Sequence, residues 1–253
     1  MRIIDAHCHL QADVFKNDLH RIVAEGKAAG IEKFISSATS PSDWQDCRNL
    51  QQTFPECSYS LGIHPWYIPP DALDFLSKIK ESDLSGAVAI GEIGLDKRFT
   101  DINFETQLQT FRKQLRIAAD LRLPVIMHCI RAWNELVDEI KKVKLTRGGI
   151  VHNFNGGPDL ARSLTRYGIS FSVGGTATYR DSNKRAEMIR SIFPDRILLE
   201  TDSPDIPPAE KRGLVNEPSY IRYTLSAISD IIAIDEETIA EKTTENAEII
   251  FFS

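Results

Sequence analysis

Eight short apolar runs, separated by amphipathic stretches along the whole chain, limit the architectures open to this sequence. They cover residues 3–10, 33–38, 59–64, 87–95, 124–129, 149–154, 169–173 and 197–202. Several lack strict polar alternation, which is how a strand covered on both faces reads. Helical spacing fills the intervals. Residues 15–29 end on Gly30, a natural C-cap, and Ser40-Pro41-Ser42-Asp43 opens a second helix with proline near its first turn. Residues 100–121 form the longest helical pattern, with Pro124 beyond it, and 131–144, 158–167 and 181–192 continue the alternation. Residues 217–232 and 236–251 read as a closing pair. This arithmetic predicts an α/β fold, a single (β/α)8 TIM barrel with closing C-terminal helices, as one domain over residues 1–253. A doubly wound open sheet would want a glycine-rich nucleotide loop after an early strand, and the sequence has none.

Composition narrows the class further. With 253 residues, 42% hydrophobic and 26% charged, the chain is long enough for one large core. No run approaches the ~18 apolar residues of a membrane helix. Met1-Arg2 leads straight into a strand without a cleavage site, so no membrane association and a cytoplasmic location are expected. Cys8, Cys47, Cys57 and Cys129 show no C-x-x-C spacing and fit reduced, buried thiols. A net charge of −6 excludes bulk electrostatic coating of nucleic acid and leaves room for a local basic groove.

The histidines carry the chemistry. His7 and His9 sit two apart on the first strand, on one face and roughly 6–7 Å apart along it, with Cys8 turned away. Alone, the pair reads either as two ligands of one ion or as two satisfied histidines at a buried strand end. The remaining strands favour the ligands. His64 ends strand three, Glu92 lies late in strand four, His128 ends strand five, His152 ends strand six and Asp202 closes strand eight. C-terminal strand ends meet at one rim of a barrel, where barrel active sites are built. The sixth histidine, His20, falls on the polar side of the first helix. Five imidazoles with two carboxylates suit a transition-metal site, and two ions there need a bridge, which one carboxylate such as Glu92 can supply. Alternatively, Glu92 makes an internal hydrogen bond, and Asp202 is a turn residue ahead of Ser203-Pro204.

Asp5-Ala6-His7-Cys8-His9-Leu10, Gly62-Ile63-His64-Pro65, Gly91-Glu92-Ile93-Gly94-Leu95-Asp96, His128, His152, Glu200-Thr201-Asp202-Ser203-Pro204 and Asn216-Glu217-Pro218 come in a telling order. In this order the chain resembles TatD-type metal-dependent deoxyribonucleases of the amidohydrolase superfamily. The resemblance implies a (β/α)8 barrel with a two-metal hydrolase site. It implies that His7, His9, Glu92 and Asp202 hold one ion, and Glu92, His128 and His152 the other. Glu92 stands where many superfamily relatives bridge with a carboxylated lysine. The loops depart from the pattern: His128-Cys129-Ile130-Arg131 replaces the family's His-x-Arg-Asp-Ala, and Lys97-Arg98 follows Asp96 where an aromatic is frequent. After strand six, His152-Asn153-Phe154-Asn155-Gly156-Gly157 replaces a small-Phe-small-Gly run, and Asp205-Ile206-Pro207-Pro208 follows Pro204.

The expected function is a two-metal hydrolase, foremost a deoxyribonuclease cleaving phosphodiester bonds with a metal-activated water. The alternatives are a small-molecule ester, amide or lactone hydrolase on the same site, and a metal-loaded protein that only binds. Catalytic roles fall to Asp202 as proton acceptor and donor, Glu92 as bridge and His64 as a hydrogen-bond donor to phosphate or leaving oxygen; the other reading of His64 is rim structure beside Pro65 and Trp66. Glu200, and Asp5 on the inward face of strand one, are expected to orient ligands from behind. Two divalent ions are the cofactors: histidine-rich ligation admits zinc, manganese or cobalt, while the family's phosphoryl chemistry points to magnesium or manganese. DNA is the expected partner, with no obligate protein partner legible. Lys97, Arg98, Arg131, Arg180 and Lys211-Arg212 are rim cations available to a phosphodiester backbone or merely solvated, and Trp66 and Trp133 either stack on a base or cover helix ends.

Overall fold

A computed structural model describes residues 1–179 and 183–253. Its eight strands are β1 (Ile3–Cys8), β2 (Ile31–Ser37), β3 (Cys57–Leu61), β4 (Ala89–Asp96), β5 (Val125–Ile130), β6 (Gly149–Val151), β7 (Ile169–Val173) and β8 (Ile197–Leu199). They pair in parallel, in sequence order from β1 to β8. Helices α1 (Leu19–Ala28), α2 (Trp44–Thr53), α3 (Ala72–Lys78), α4 (Phe104–Leu121), α5 (Trp133–Lys142), α6 (Pro158–Thr165) and α7 (Asn183–Ile192) follow the first seven strands. After β8 come α8 (Ile221–Ile232) and α9 (Glu236–Phe251). The expected barrel with closing helices is the fold.

Five strands, β1, β2, β3, β6 and β8, stop earlier than the apolar runs. β1 ends at Cys8, β3 at Leu61, β6 at Val151 and β8 at Leu199, so His9, His64, His152 and Asp202 lie just past the ladders. Apolar character continues beyond the last paired residue because these short connections remain buried at the rim. The first helix is also shorter than 15–29, because Asp13–Phe15 forms a separate 3-10 turn. A second 3-10 turn, Pro218–Tyr220, takes the start of the stretch expected at 217–232. The expected start of the seventh helix at residue 181 lies outside the described residues. Helix α3 has no counterpart in the sequence reading; its seven residues are too few for a legible period.

Inside the barrel, Ile4, Ala6, Ile35, Ala89, Ile126, Ile150 and Leu198 form an apolar layer, closed below by Ala247, Ile250 and Phe251 of α9. Two β-bulges then reverse the inside–outside phase of β1 and β4. On β1, Asp5 pairs with Phe34 and Cys8 with Ser36, so three steps match two. On β4, Ile90 pairs with Val125 and Ile93 with Met127, the same excess. An extra residue in one strand turns the following side chains to the other face. Thus Ala6 lines the interior layer while Cys8 packs in the outer core, and Ala89 is interior while Ile93 and Leu95 are outer. The bulges deliver His7 and Glu92 to the barrel axis above that layer.

Asp5 departs from its expected place. It alternates with Ile4 and Ala6, and so lies off the interior layer. Its carboxylate accepts from Thr201 N at 2.9 Å and Thr201 Oγ1 at 2.6 Å. No ladder pairs β8 with β1 among the described residues; instead Asp202 N donates to His7 O at 2.9 Å and His9 N to Ser203 O at 2.7 Å. The seam of the barrel is thereby stitched at His7, His9 and Asp202, three of the expected ligands.

Candidate metal centre

Each side chain of the rim is set by what lies behind it. Ser37 on β2 serves both histidines of β1: His7 Nδ1 is 2.9 Å from its hydroxyl, and His9 Nδ1 is 2.8 Å from its carbonyl oxygen. Ser60 Oγ donates to Ser37 Oγ at 3.0 Å, completing a small polar tier beneath the imidazoles. With Nδ1 engaged, each of these histidines turns Nε2 to the centre. Glu92 needs room that only glycine leaves. A Cβ on Gly62 would meet Gly91 C at 2.7 Å and Glu92 O at 2.8 Å. Gly94 has φ +154°, and a Cβ there would lie 2.0 Å from His128 O.

Glu92 is 1% exposed, and its two oxygens face different partners. Oε2 lies 3.5 Å from Nε2 of both His7 and His9. Oε1 lies 2.8 Å from His152 Nε2, 3.3 Å from His128 Nδ1 and 3.4 Å from His64 Nε2. Asp202 sits on the first side, with Oδ1 3.4 Å from His7 Nε2 and 3.7 Å from His9 Nε2. All six expected ligands therefore converge, and His64 comes within the same reach. Asp202 adopts φ 59°, a left-handed conformation that aims its carboxylate inward. Asn216 holds this turn by donating from Nδ2 to Thr201 O and Asp205 O, each at 2.7 Å.

Burial pushes the Glu92 carboxyl up, but the imidazoles of His152, His64 and His7 outweigh it and hold the group well below the usual carboxylate range. Asp202 is likewise pushed up by burial and held low by His7 and His9. Burial keeps His7 down at about 4 and His64 at about 3, so both stay neutral and available as ligands. Burial also pulls down His9 and His152, yet Asp202 raises His9 to about 9 and Glu92 raises His152 to about 10.

The donor set fits a metal. His7 Nε2 is buried without a hydrogen-bond partner and points into the cluster. An unpaired buried polar atom is costly, and a divalent cation satisfies several at once. His7, His9 and Asp202 bring ligand atoms within 4.8 Å of one another, as do His7, Glu92 and His152, and His64, Glu92 and His128.

The residues expected to support the ligands sort differently. Glu200 is fully buried; its Oε1 accepts from Asn153 N at 2.7 Å and lies 3.9 Å from His152 Nδ1, while Ser172 Oγ donates to Oε2. Asp96, which sequence reasoning placed in a motif without a role, is fully buried 3.3 Å from His128 Nε2. Its signal was the two-residue period that puts 92 and 96 on one face of β4 after the bulge.

The cluster floors a pocket of about 660 Å³. Trp66, stacked on Phe99 at 5.7 Å between ring centroids, and Tyr67 wall one side. Asp13, Asp46 and Asp205 line the mouth, Asp13 being paired with Lys16. Arg98 is the sole lysine or arginine among the described lining residues. The other described rim cations lie outside this lining. Lys97 pairs with Glu135 at 2.6 Å, Arg131 is exposed outside the pocket, and Lys211 and Arg212 sit over tyrosine rings. Arg180 lies outside the described residues. Trp133 packs on Phe154 at the start of α5, covering a helix end. His20 is exposed on α1, and the four cysteines are buried and free. No helix among the described residues is long and apolar enough to cross a membrane.

Comparison with known proteins gives a consistent result. A family model described as TatD related DNase matches residues 4–252. The metal-dependent hydrolase YabD of Bacillus subtilis is 32% identical over 98% of this chain and 98% of its own length. The metal-dependent hydrolase YjjV of Escherichia coli K12 is 30% identical over 99% and 98%. The crystal structure of YjjV, described as a TatD homolog, superposes with a TM-score of 0.93 over 100% of this chain and 98% of that one. A TatD family hydrolase from Entamoeba histolytica, 22% identical, shares the fold with a TM-score of 0.86 over 100% and 98%.

Proposed function

The chain belongs to the TatD-related DNase family, and on that premise we propose that it is a two-metal hydrolase cleaving phosphodiester bonds in DNA. The observation that carries this is the two-sided Glu92 carboxylate, with Oε2 toward His7 and His9 and Oε1 toward His64, His128 and His152. His7, His9, Glu92 and Asp202 would hold one divalent ion, and Glu92, His128 and His152 the other. When bound, such ions supply an acidified water and offset charge developing on phosphoryl oxygens.

The chain's own residues do the rest. Asp202, held ionised by His7 and His9, accepts a proton from the attacking water and returns one to the leaving oxygen. His64, kept neutral by burial, stands beside the cluster and donates a hydrogen bond to the scissile phosphate or its leaving oxygen. The Trp66 ring offers a base a stacking surface, worth about 1–3 kcal/mol per base. Magnesium, manganese or zinc are the ions to test. Release of nucleotides from single-stranded DNA by metal-reconstituted protein, and its loss on chelation, tests the assignment. No release with any of these ions refutes it.

The acidic mouth favours a second reading. Asp46 and Asp205 face the substrate path while Arg98 is the sole lining cation among the described residues, a poor match for a polyanion. A neutral ester, amide or lactone entering the same pocket meets no such repulsion, and the same centre serves carbonyl attack. Hydrolysis of model esters and lactones without DNA cleavage would select it.

A further inference from the structure

We propose that Asp96 is a positioning residue of the metal centre: its Oδ2 atom fixes which nitrogen of His128 faces Glu92 and ties that imidazole to Trp66 in the pocket wall. The assignment rests on reading the cluster as a two-ion site. Asp96 is the last residue of β4, four past Glu92, and fully buried. Its Oδ2 atom lies 3.3 Å from His128 Nε2 and accepts from Trp66 Nε1 at 3.0 Å and Arg98 Nη2 at 3.4 Å. Oδ1 accepts from Arg98 N at 2.8 Å. The backbone is clamped as well, because Asp96 N donates to Gln107 Oε1 at 2.9 Å and Gln107 Nε2 donates to Asp96 O at 3.2 Å. The carboxylate is thus fixed from both ends.

The consequence is a choice of nitrogen. On β1 the residues behind the histidines engage Nδ1, leaving Nε2 for the centre. On β5 the order is reversed. Asp96 takes Nε2–H of His128, and Nδ1 is the atom 3.3 Å from Glu92 Oε1. A carboxylate behind a ligand imidazole sets its tautomer and raises its basicity. The oxygen that does this also receives the indole of Trp66, so a change in His128 is felt in the aromatic wall, and the reverse.

Cobalt(II) titration of the whole protein, followed by elemental analysis and d–d absorption, reads the effect directly. Wild type is expected to bind two ions. Asp96→Asn, which keeps the size but loses the charge, should bind one of the two ions, the one that Glu92, His128 and His152 would hold, roughly 10–100-fold less tightly, with a shifted d–d band, and Asp96→Glu should restore part of the loss. Nitrogen-15 correlation spectra of zinc-loaded wild type give a second test that needs no variant: His128 should carry its proton on Nε2. A proton on Nδ1, or an Asp96→Asn variant with wild-type cobalt affinity and spectrum, overturns the role of Asp96 while leaving the metal site standing. Wild type that binds no cobalt overturns the two-ion site and this assignment with it.

Discussion

Glu92 Oε1 and His152 Nε2 lie 2.8 Å apart, both side chains buried, in the tightest contact of the cluster. Because the other oxygen of Glu92 serves His7 and His9, removing its charge should strike both halves at once. Glu92→Gln is therefore expected to lose metal occupancy and turnover together, measured by elemental analysis beside the hydrolysis rate. A variant that keeps two ions and full activity would show that Glu92 is not the bridge.

Asp202 should separate binding from proton transfer. Its amide analogue retains a weak oxygen ligand and the Asn216-held turn, yet cannot take up a proton. Asp202→Asn should lower kcat at least ~10²-fold, the low end for general acid–base catalysis, with an unchanged circular dichroism spectrum. Activity within a few-fold of wild type would leave Asp202 as a turn residue only.

The fold was legible because a parallel barrel repeats one signal eight times, and the clustering of the candidate ligands was legible because chemically unusual residues fell at strand ends. What sequence periodicity could not supply was phase. A bulge costs one residue and leaves no mark in composition, so Asp5 seemed to share the face of His7 although the extra step between Asp5 and Cys8 separates them. The same insertion in β4 lets Glu92 share the interior with Ala89, three residues before it, where plain alternation would put them on opposite faces. The partners of Lys97, Lys211 and Arg212 were illegible for a different reason. Lys97 finds Glu135 and Arg212 finds Tyr179, partners supplied by distant sequence, and Lys211 lies over Tyr220.

The charge of the pocket mouth makes the salt dependence of DNA cleavage informative. Each phosphate gripped on a single strand contributes a slope of about −0.7 in log affinity against log salt. With Arg98 as the sole lining cation among the described residues, log kcat/KM should fall with a slope of about −0.7 to −1.4, the signature of one or two phosphates. Arg98→Gln should flatten it. Asp46→Asn with Asp205→Asn should raise kcat/KM on DNA and leave a small neutral ester unaffected. A slope steeper than about −3, meaning four or more gripped phosphates, would place a basic track elsewhere.

Outside the site, the pair Arg112–Glu139 offers a pH-dependent test of how the outer helices are held. Arg112 on α4 donates from Nε and Nη2 to the two carboxylate oxygens of Glu139 on α5, each at 2.8 Å. Glu139 is 3% exposed, and the hydrogen bonds from Arg112 hold its carboxyl at about 2, against an ordinary value of 4.5. A carboxyl depressed on folding stabilises the native state above the unfolded value, and the benefit is lost as pH falls from about 4.5 through about 2. Glu139→Gln should therefore be less stable than wild type at pH 7 by about 1–2 kcal/mol, an exposed guanidinium edge reducing the full value of a charged hydrogen bond. That difference should shrink steadily as pH falls across the same window, followed by urea midpoints at each pH. A gap that stays constant down to the lower end would mean that Glu139 acts through packing rather than charge.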